Sequence, residues 1–252
     1  MSDRRIDFNC DVGEGCGDDA AILPWISSAN IACGGHAGDD ATMRATLRLC
    51  RDLGVAAGAH PGFDDPQHFG RRTLALPREA ITRLVLEQLA RLAAIAGEEG
   101  VRLTHAKPHG ALYNLAADDH STAAAIVEAI AMFDASLALY ALSGSALANA
   151  GEAAGLRVAH EVFAERGYDA NGRLLPRGQP GAVLDSLDDA VTQARALAGH
   201  GHVRSADGDL LALRADTLCL HGDRLDAAEF ARVLRGALEA DGIRILAFGA
   251  RT

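Results

Sequence analysis

Histidines are concentrated at a few points of this 252-residue chain, each beside another charged or polar side chain. Six of the ten histidines stand at or just after short apolar runs typical of β-strands: positions 36, 60, 105, 109, 160 and 221. Imidazole exchanges a proton near neutral pH, and a neighbouring carboxylate or ammonium can act with it in acid–base chemistry. The pattern predicts an enzyme, with these candidate catalytic residues: Asp11, Glu14, His60, Lys107 and His109.

Lys107 is the only lysine among 24 basic residues, and it lies between His105 and His109. Alternate residues of an extended segment share one face, so the side chains of 105 and 107 are expected to point the same way, and Pro108 limits this expectation to those two. Together they predict a positively charged cluster that stabilises an oxyanion or a phosphoryl oxygen.

A divalent metal site is a second interpretation of the same polar residues. Asp11, His36 and His60 offer one carboxylate and two imidazoles, a donor set that suits zinc or manganese. They follow three different predicted strands, and no local ligand spacing supports the site. The alternative is that these side chains bind substrate or act as general acid and base.

Arginines in two predicted loops favour a small anionic substrate, because a guanidinium group matches a carboxylate or phosphate with two parallel hydrogen bonds. Arg71 follows the third predicted strand, whereas Arg166 and Arg177 belong to a long segment, residues 161–181, that is rich in Gly and Pro and predicts a lid or clamp. The predicted substrate-binding residues are Asn9, Asn30, Arg71, Arg166, Arg177, His221 and Asp223.

Strand-like and helix-like segments alternate along almost the whole chain. The predicted strands are Ile6–Cys10, Ala29–Cys33, Val55–Ala59, Val101–Ala106, Leu137–Ala141, Arg157–His160, Thr217–Leu220 and Ile243–Phe248. The predicted helices are Asp40–Leu53, Pro77–Gly97, Ser121–Met132, Ser145–Ala154, a segment capped by Ser186, and Asp226–Ala240. Repeated βα units predict one α/β domain over residues 1–252, a TIM-like, seven-stranded β/α barrel, with an open parallel sheet as the alternative. In such a barrel the polar residues after the strands converge at one rim.

The overall composition narrows the class of protein. The formal charge of −10 argues against a nucleic-acid binder. Five cysteines without a C-x-x-C pair argue against a disulfide scaffold and a structural zinc site. The sequence also contains no Walker motif for binding the phosphates of a nucleotide. No apolar run is long enough to span a membrane and the N-terminus has no signal-like segment, so a cytoplasmic protein without membrane contact is expected.

Seven motifs occur in a characteristic order: Phe8-Asn-Cys-Asp-Val-Gly-Glu14, Ser28-Ala-Asn-Ile-Ala-Cys33, His36-Ala-Gly-Asp39, Gly58-Ala-His-Pro61, Phe69-Gly-Arg-Arg72, Lys107-Pro-His-Gly-Ala-Leu-Tyr-Asn114 and His221-Gly-Asp223. From residue 6 to about residue 248 the chain resembles the LamB/YcsF family. The resemblance implies a barrel similar to those of polysaccharide deacetylases. It also implies ATP-dependent opening of 5-oxo-L-proline to L-glutamate, with ATP as co-substrate, in a complex with two further 5-oxoprolinase subunits, B and C.

Two alternatives to this activity stay open at the level of sequence. One is a metal-dependent amide or polysaccharide deacetylase that needs no ATP, and the other is a non-catalytic subunit of a hydrolase complex. In the ATP-dependent reaction, Lys107 and His109 are expected to stabilise the phosphoryl group or oxyanion, and Asp11 or His60 to act as base.

Overall fold

The structure, a computed structural model, describes residues 4–16, 18–222 and 226–250. Its strands in chain order are β1 (Arg5–Val12), β2 (Ser28–Ala32), β3 (Ala56–His60), β4 (Leu103–Ala106), β5 (Ala138–Leu142), β6 (Arg157–Phe163), β7 (His202–Arg204), β8 (Leu210–Ala212), β9 (Thr217–His221) and β10 (Arg244–Ile245). Its helices are α1 (Asp19–Ile22), α2 (Asp40–Leu53), α3 (Arg78–Glu98), α4 (Gly110–Asp118), α5 (His120–Asp134), α6 (Ala146–Ala153), α7 (Leu187–His200) and α8 (Ala227–Ala240). Short 3₁₀ turns cover Leu23–Trp25 and Pro66–His68.

Seven parallel strands close into a barrel, which confirms the predicted fold class. β1 to β6 pair in chain order, β6 pairs with β9, and β9 returns to β1. The predicted strand Ile243–Phe248 is reduced to the two-residue β10, which pairs with the start of β1 outside the ring. β7 and β8, which the apolar pattern did not predict, form a separate antiparallel hairpin.

The helices begin and end where local chemistry favours it. The hydroxyl of Ser186 accepts a hydrogen bond from the Asp189 amide and caps α7, as predicted. The Asp39 carboxylate caps α2 in the same way, and α2 ends at Gly54, whose φ of 71° suits a residue without a side chain. The buried faces of the helices pack against the outside of the barrel in one continuous apolar core.

The segment between β6 and α7 has no helix, as its Gly and Pro content predicted. It folds back on itself through antiparallel bridges between Arg166 and Val183 and between Tyr168 and Leu174. The buried Tyr168 hydroxyl accepts a hydrogen bond from the Phe163 amide at 2.7 Å and so ties this segment to the end of β6. In the part of the chain that the structure describes, no helix has the length and apolar character needed to cross a membrane.

Candidate active site

Alternate residues of β1 point into the barrel and place polar groups at three successive levels. Asp7, at the lowest level, accepts a hydrogen bond from the Thr217 hydroxyl at 2.6 Å. Asn9, at the middle level, donates to Glu161 Oε1 at 3.0 Å, and Asp11 lies at the upper level, where the strands end. Because every second residue of a strand points to the same side, these three polar side chains lie one above another inside the barrel, and Asp11 is nearest the C-terminal rim.

Lys107 occupies the upper level together with two carboxylates. Its ammonium lies 2.9 Å from Asp11 Oδ1 and 2.9 Å from Glu161 Oε1, with the Cys219 sulfur at 3.1 Å. Only 2% of Lys107 is exposed, and Tyr113 donates its hydroxyl proton to the other oxygen of Glu161 at 2.6 Å. Burial lowers the pKa of Lys107, but Asp11, Cys219 and Glu161 outweigh it and hold that pKa well above its usual value, so the group is an ammonium.

His60 connects this ion pair to a group of imidazoles. Its Nε2 lies 3.3 Å from Asp11 Oδ2 and 2.9 Å from His109 Nδ1, and its Nδ1 lies 2.8 Å from the Lys107 carbonyl oxygen. Burial raises the pKa of Asp11, but the neighbouring His60 and Lys107 outweigh it and keep that pKa well below its usual value. Asp11 is therefore a carboxylate under physiological conditions.

His36 and Glu14 complete the group on the side away from Lys107. The rings of His36 and His109 stack in parallel, with 3.6 Å between centroids. Glu14 Oε1 lies 3.2 Å from His36 Nε2 and 3.4 Å from His109 Nδ1. Burial lowers the pKa of His36 to about 2, so this ring is neutral. The structure thus brings the five predicted catalytic side chains into one connected set.

Asn9 and Asn30, both predicted to bind substrate, lie below this set. The Asn30 amide donates to Asn9 Oδ1 and to Asp11 Oδ1, each at 2.8 Å, and its carbonyl oxygen lies 2.9 Å from His105 Nε2. His105 in turn stacks on Tyr140. Neither asparagine lines the cavity above, so their contacts favour positioning of Asp11 over contact with a substrate.

A cavity of about 590 Å³ opens above Asp11 at the C-terminal rim of the barrel. Its lining combines three kinds of residue: the floor residues Asp11, His60, Lys107 and His109; the predicted substrate-binding residues Arg71, Arg166, Arg177 and His221; and an apolar part that includes Leu142, Phe163, Leu174 and Leu175. A volume of this size suits a small-molecule ligand.

The arginines of the cavity differ in their surroundings. The buried Arg166 donates to the carbonyl oxygens of Leu175 and Ala182, at 2.6 and 2.9 Å, and so shapes the loop. Arg71 and Arg177 are exposed at the mouth, and the Arg71 guanidinium lies over the Phe69 ring. The mouth therefore presents cationic groups to an incoming anion.

His221 lies at the end of β9 on the cavity wall. Its Nδ1 makes a very short contact with Glu165 Oε1, and its ring stacks on Phe163, with 5.5 Å between centroids. A carboxylate bound to one imidazole nitrogen fixes the orientation of the ring. Asp223, the remaining predicted substrate-binding residue, lies outside the described residues.

The groups best placed to hold a metal ion differ from the predicted set of Asp11, His36 and His60. Within the described residues, Glu14, His36, His60 and His109 each offer a ligand atom within 4.8 Å of the others. Asp11 is bound through Oδ1 to Lys107 and Asn30, and only its Oδ2 faces His60.

Sequence reasoning passed over two carboxylates of the site. Glu161 follows His160 on β6 and is fully buried against Lys107, and Glu165 holds His221. The alternation of β6 was an available signal, since His160 and Glu161 must point to opposite faces of the strand. His160 points outward to Glu152, at 3.0 Å, which leaves Glu161 inside.

Comparison with known proteins identifies the family of this chain. The chain matches the sequence model of the LamB/YcsF family over residues 6–252. The chain belongs to this family. Members named as the A subunit of 5-oxoprolinase include a Bordetella pertussis protein, 50% identical over 247 residues that cover 96% of this chain and 98% of the relative. Another, from Chloroflexus aggregans, is 51% identical over 245 residues, covering 95% of this chain and 97% of the relative.

Among solved structures, the lactam utilization protein from Thermus thermophilus superposes with a TM-score of 0.91 at 43% identity, covering 97% of this chain and all of that one. A T48 deacetylase superposes with a TM-score of 0.51 at 14% identity, over 97% of this chain and 88% of that one, a likeness of fold alone.

Proposed function

We propose that this chain is the A subunit of an ATP-dependent 5-oxoprolinase, which opens the lactam of 5-oxo-L-proline to L-glutamate. The observation that carries the proposal is the cavity in which the cationic mouth, with Arg71 and Arg177, faces a floor formed by Asp11, His60 and His109. Relatives of about half identical sequence over nearly the whole chain are named as this subunit, which supports it.

The substrate has two features that the cavity matches. Its carboxylate is an anion, and guanidinium groups at the mouth bind such a group with charge-assisted hydrogen bonds. Its ring is small and largely apolar, and Phe163 and Leu142 offer apolar surface next to the polar floor. With the carboxylate held at the mouth, the lactam carbonyl is directed toward Asp11 and His60.

The lactam is a stable amide, so its opening is coupled to ATP. Transfer of the γ-phosphoryl group to the lactam oxygen makes the carbonyl carbon electrophilic, and water then adds to that carbon. The C–N bond breaks as the nitrogen takes up a proton, which leaves an acyl phosphate. A second water releases phosphate and gives glutamate, so that one ATP and two waters are consumed for one glutamate, one ADP and one phosphate.

The floor residues have matching roles in this scheme. Asp11 lines the cavity with its Oδ2 3.3 Å from His60 Nε2, so this carboxylate can accept the proton of the attacking water and return it to the ring nitrogen. Lys107 holds Asp11 in its charged form and stabilises negative charge on the oxygen. Glu14 orients His109 and His36 from behind the cavity.

ATP and two partners, the B and C subunits, belong to the proposal. The test is an assay of 5-oxo-L-proline with ATP, using the chain alone and the chain combined with both partners. We expect glutamate and phosphate in equal amounts only in the combined mixture. Asp11→Asn should abolish both products, and Asp52→Asn, which alters an exposed carboxylate on α2, should not.

Two other outcomes would reject the proposal. Hydrolysis of amide substrates by the chain alone without ATP would indicate a deacetylase-like hydrolase. Full activity of the assembled enzyme carrying Asp11→Asn would indicate that the residues of the cavity floor are not catalytic.

A further inference from the structure

The hydrogen bonds of His60 and His109 determine which ring nitrogens carry protons. A carbonyl oxygen only accepts, so His60 must donate from Nδ1 to the Lys107 carbonyl at 2.8 Å. For the same reason His109 must donate from Nε2 to the Phe69 carbonyl at 2.9 Å. In the neutral rings, His60 Nε2 and His109 Nδ1 therefore carry lone pairs.

These two lone-pair nitrogens face each other at 2.9 Å, the distance of a hydrogen bond, although neither has a proton to donate. Two carboxylate oxygens, which are also acceptors, lie beside them. Asp11 Oδ2 lies 3.3 Å from His60 Nε2, and Glu14 Oε1 lies 3.4 Å from His109 Nδ1 and 4.0 Å from His60 Nε2. Electron-rich atoms this close together require a positive charge among them. A divalent cation can accept lone pairs from three or four of these atoms at once, whereas a single proton is shared by only two of them.

We propose that His60 Nε2, His109 Nδ1 and Glu14 Oε1 bind one divalent metal ion, with Asp11 Oδ2 beside it. Two imidazoles and a carboxylate are a donor set found in catalytic zinc sites. Metal–ligand bonds of about 2.1 Å in a tetrahedron separate the ligand atoms by about 3.4 Å. The observed separations of 2.9, 3.4 and 4.0 Å bracket that value, so small side-chain movements suffice.

His36 has a different place in the site. Its ring is parallel to that of His109, at 5°, and an ion in the plane of one stacked ring lies out of the plane of the other. Its Nε2 instead contacts Glu14 Oε1 at 3.2 Å, and so positions that carboxylate. Its Nδ1 is buried without a hydrogen-bond partner in the described chain and faces Gly62, where an added Cβ would come within 2.7 Å.

The bound ion has one side open to the cavity. His60, His109 and Asp11 line the cavity wall, whereas Glu14 and His36 lie behind it. Catalytic metal sites keep such an open position for water or substrate, and the ion supplies a Lewis acid there. The proposal rests on the contacts of this cluster and stands whether or not 5-oxo-L-proline is the substrate.

The test measures metal binding to the purified full chain without lactam or ATP. After treatment with a chelator, Zn²⁺, Mn²⁺ or Co²⁺ is added and the bound metal is determined by elemental analysis and calorimetry. We expect one ion per chain. His60→Ala, His109→Ala and Glu14→Gln should each weaken binding by more than about 100-fold, and His36→Ala by about 10- to 100-fold.

His200→Ala is the matched control, since this exposed histidine ends α7 away from the cluster, and its metal affinity should equal that of the unaltered chain. Thermal unfolding of each variant identifies any that do not fold. X-ray absorption of the metal-loaded, unaltered chain needs no variant and should show two imidazole ligands. If that chain binds no more metal than the His60→Ala/His109→Ala double variant, or if its ion has no imidazole ligand, the proposal is wrong.

Discussion

Lys107 and Asp11 form a buried ion pair that joins the segment after β4 to the end of β1, with 2.9 Å between Nζ and Oδ1. Glu161 of β6 contacts the same ammonium at the same distance. The only lysine of the chain therefore links strands from opposite parts of the barrel, and the position of Asp11 in the cavity floor depends on it.

Replacement of Lys107 by methionine should leave two carboxylates buried without their counter-ion. We expect the free energy of unfolding to fall by about 3–5 kcal/mol, measured by urea denaturation. Lys107→Met/Glu161→Gln should recover part of the loss, because one uncompensated charge is removed. Arg232→Met, which breaks an exposed pair with Glu229 on α8, should cost less than about 1 kcal/mol. Near-normal turnover of Lys107→Met in the assembled enzyme would contradict the role proposed for Lys107.

Arg177 is predicted to bind the substrate carboxylate at the mouth of the cavity. A hydrogen bond to a charged group contributes about 1.5–3 kcal/mol, so Arg177→Ala should raise KM for 5-oxo-L-proline at least about 10-fold with little change in kcat. Thermal stability should be unaffected, since this side chain is exposed. Arg195→Ala, which removes an ion pair with Asp241 far from the cavity, is the control. Equal KM values for the two variants would show that Arg177 does not bind the substrate carboxylate.

Gly58 of β3 leaves room for His105 inside the barrel. A Cβ at residue 58 would come within 2.2 Å of His105 Nε2, and the ring has no space to retreat because it stacks on Tyr140. Gly58→Ala should therefore lower the free energy of unfolding by about 1–3 kcal/mol.

Gly97 of α3 offers the opposite case, since nothing lies within 4 Å of an added Cβ there. Gly97→Ala should stabilise the protein by roughly 0.5–1 kcal/mol, because alanine is the better helix former. Urea denaturation of both variants measures the contrast. Similar changes for the two would mean that the inside of the barrel tolerates a larger residue 58.

Glu99 gives the protein a pH-dependent contribution to stability. Hydrogen bonds from Arg48 and Arg44 of α2 lower its pKa from 4.5 to about 2. Because the folded-state pKa is the lower one, this contribution is complete above pH 4.5 and is lost as the pH falls toward 2.

The difference in unfolding free energy between the unaltered chain and Glu99→Gln should accordingly be constant at neutral pH and shrink below pH 4.5. Urea denaturation at a series of pH values measures it. Glu87→Gln on the exposed side of α3 is the control and should give a small difference. If the difference between the unaltered chain and Glu99→Gln instead grew on acidification, folding would raise the pKa of Glu99, and the predicted direction of the shift would be wrong.

Local patterns in the sequence determined most of the elements. Apolar runs of strand length and helical periodicity depend on neighbouring residues alone, and they placed the seven barrel strands and the capped start of α7 correctly. The same patterns overstated the closing run Ile243–Phe248, because only two of its residues find a pairing partner beside β1. They also missed the β7–β8 hairpin, whose strands of three residues each are too short for a recognisable alternation of apolar and polar residues.

The composition of the cavity floor was decided by the tertiary structure. Sequence spacing indicated that Asp11, His60, Lys107 and His109 follow strands, and parallel strands bring their ends to one rim. Which of these groups touch depends on the closure and register of the barrel, which relate residues far apart in the chain. Glu161 of β6 reaches Lys107 past the intervening strand β5 only because both side chains point into the closed barrel. Glu14 joins the imidazoles only because the chain turns back after β1. Residue types along the chain thus fixed the available chemistry, whereas the closed barrel selected the contacts between them.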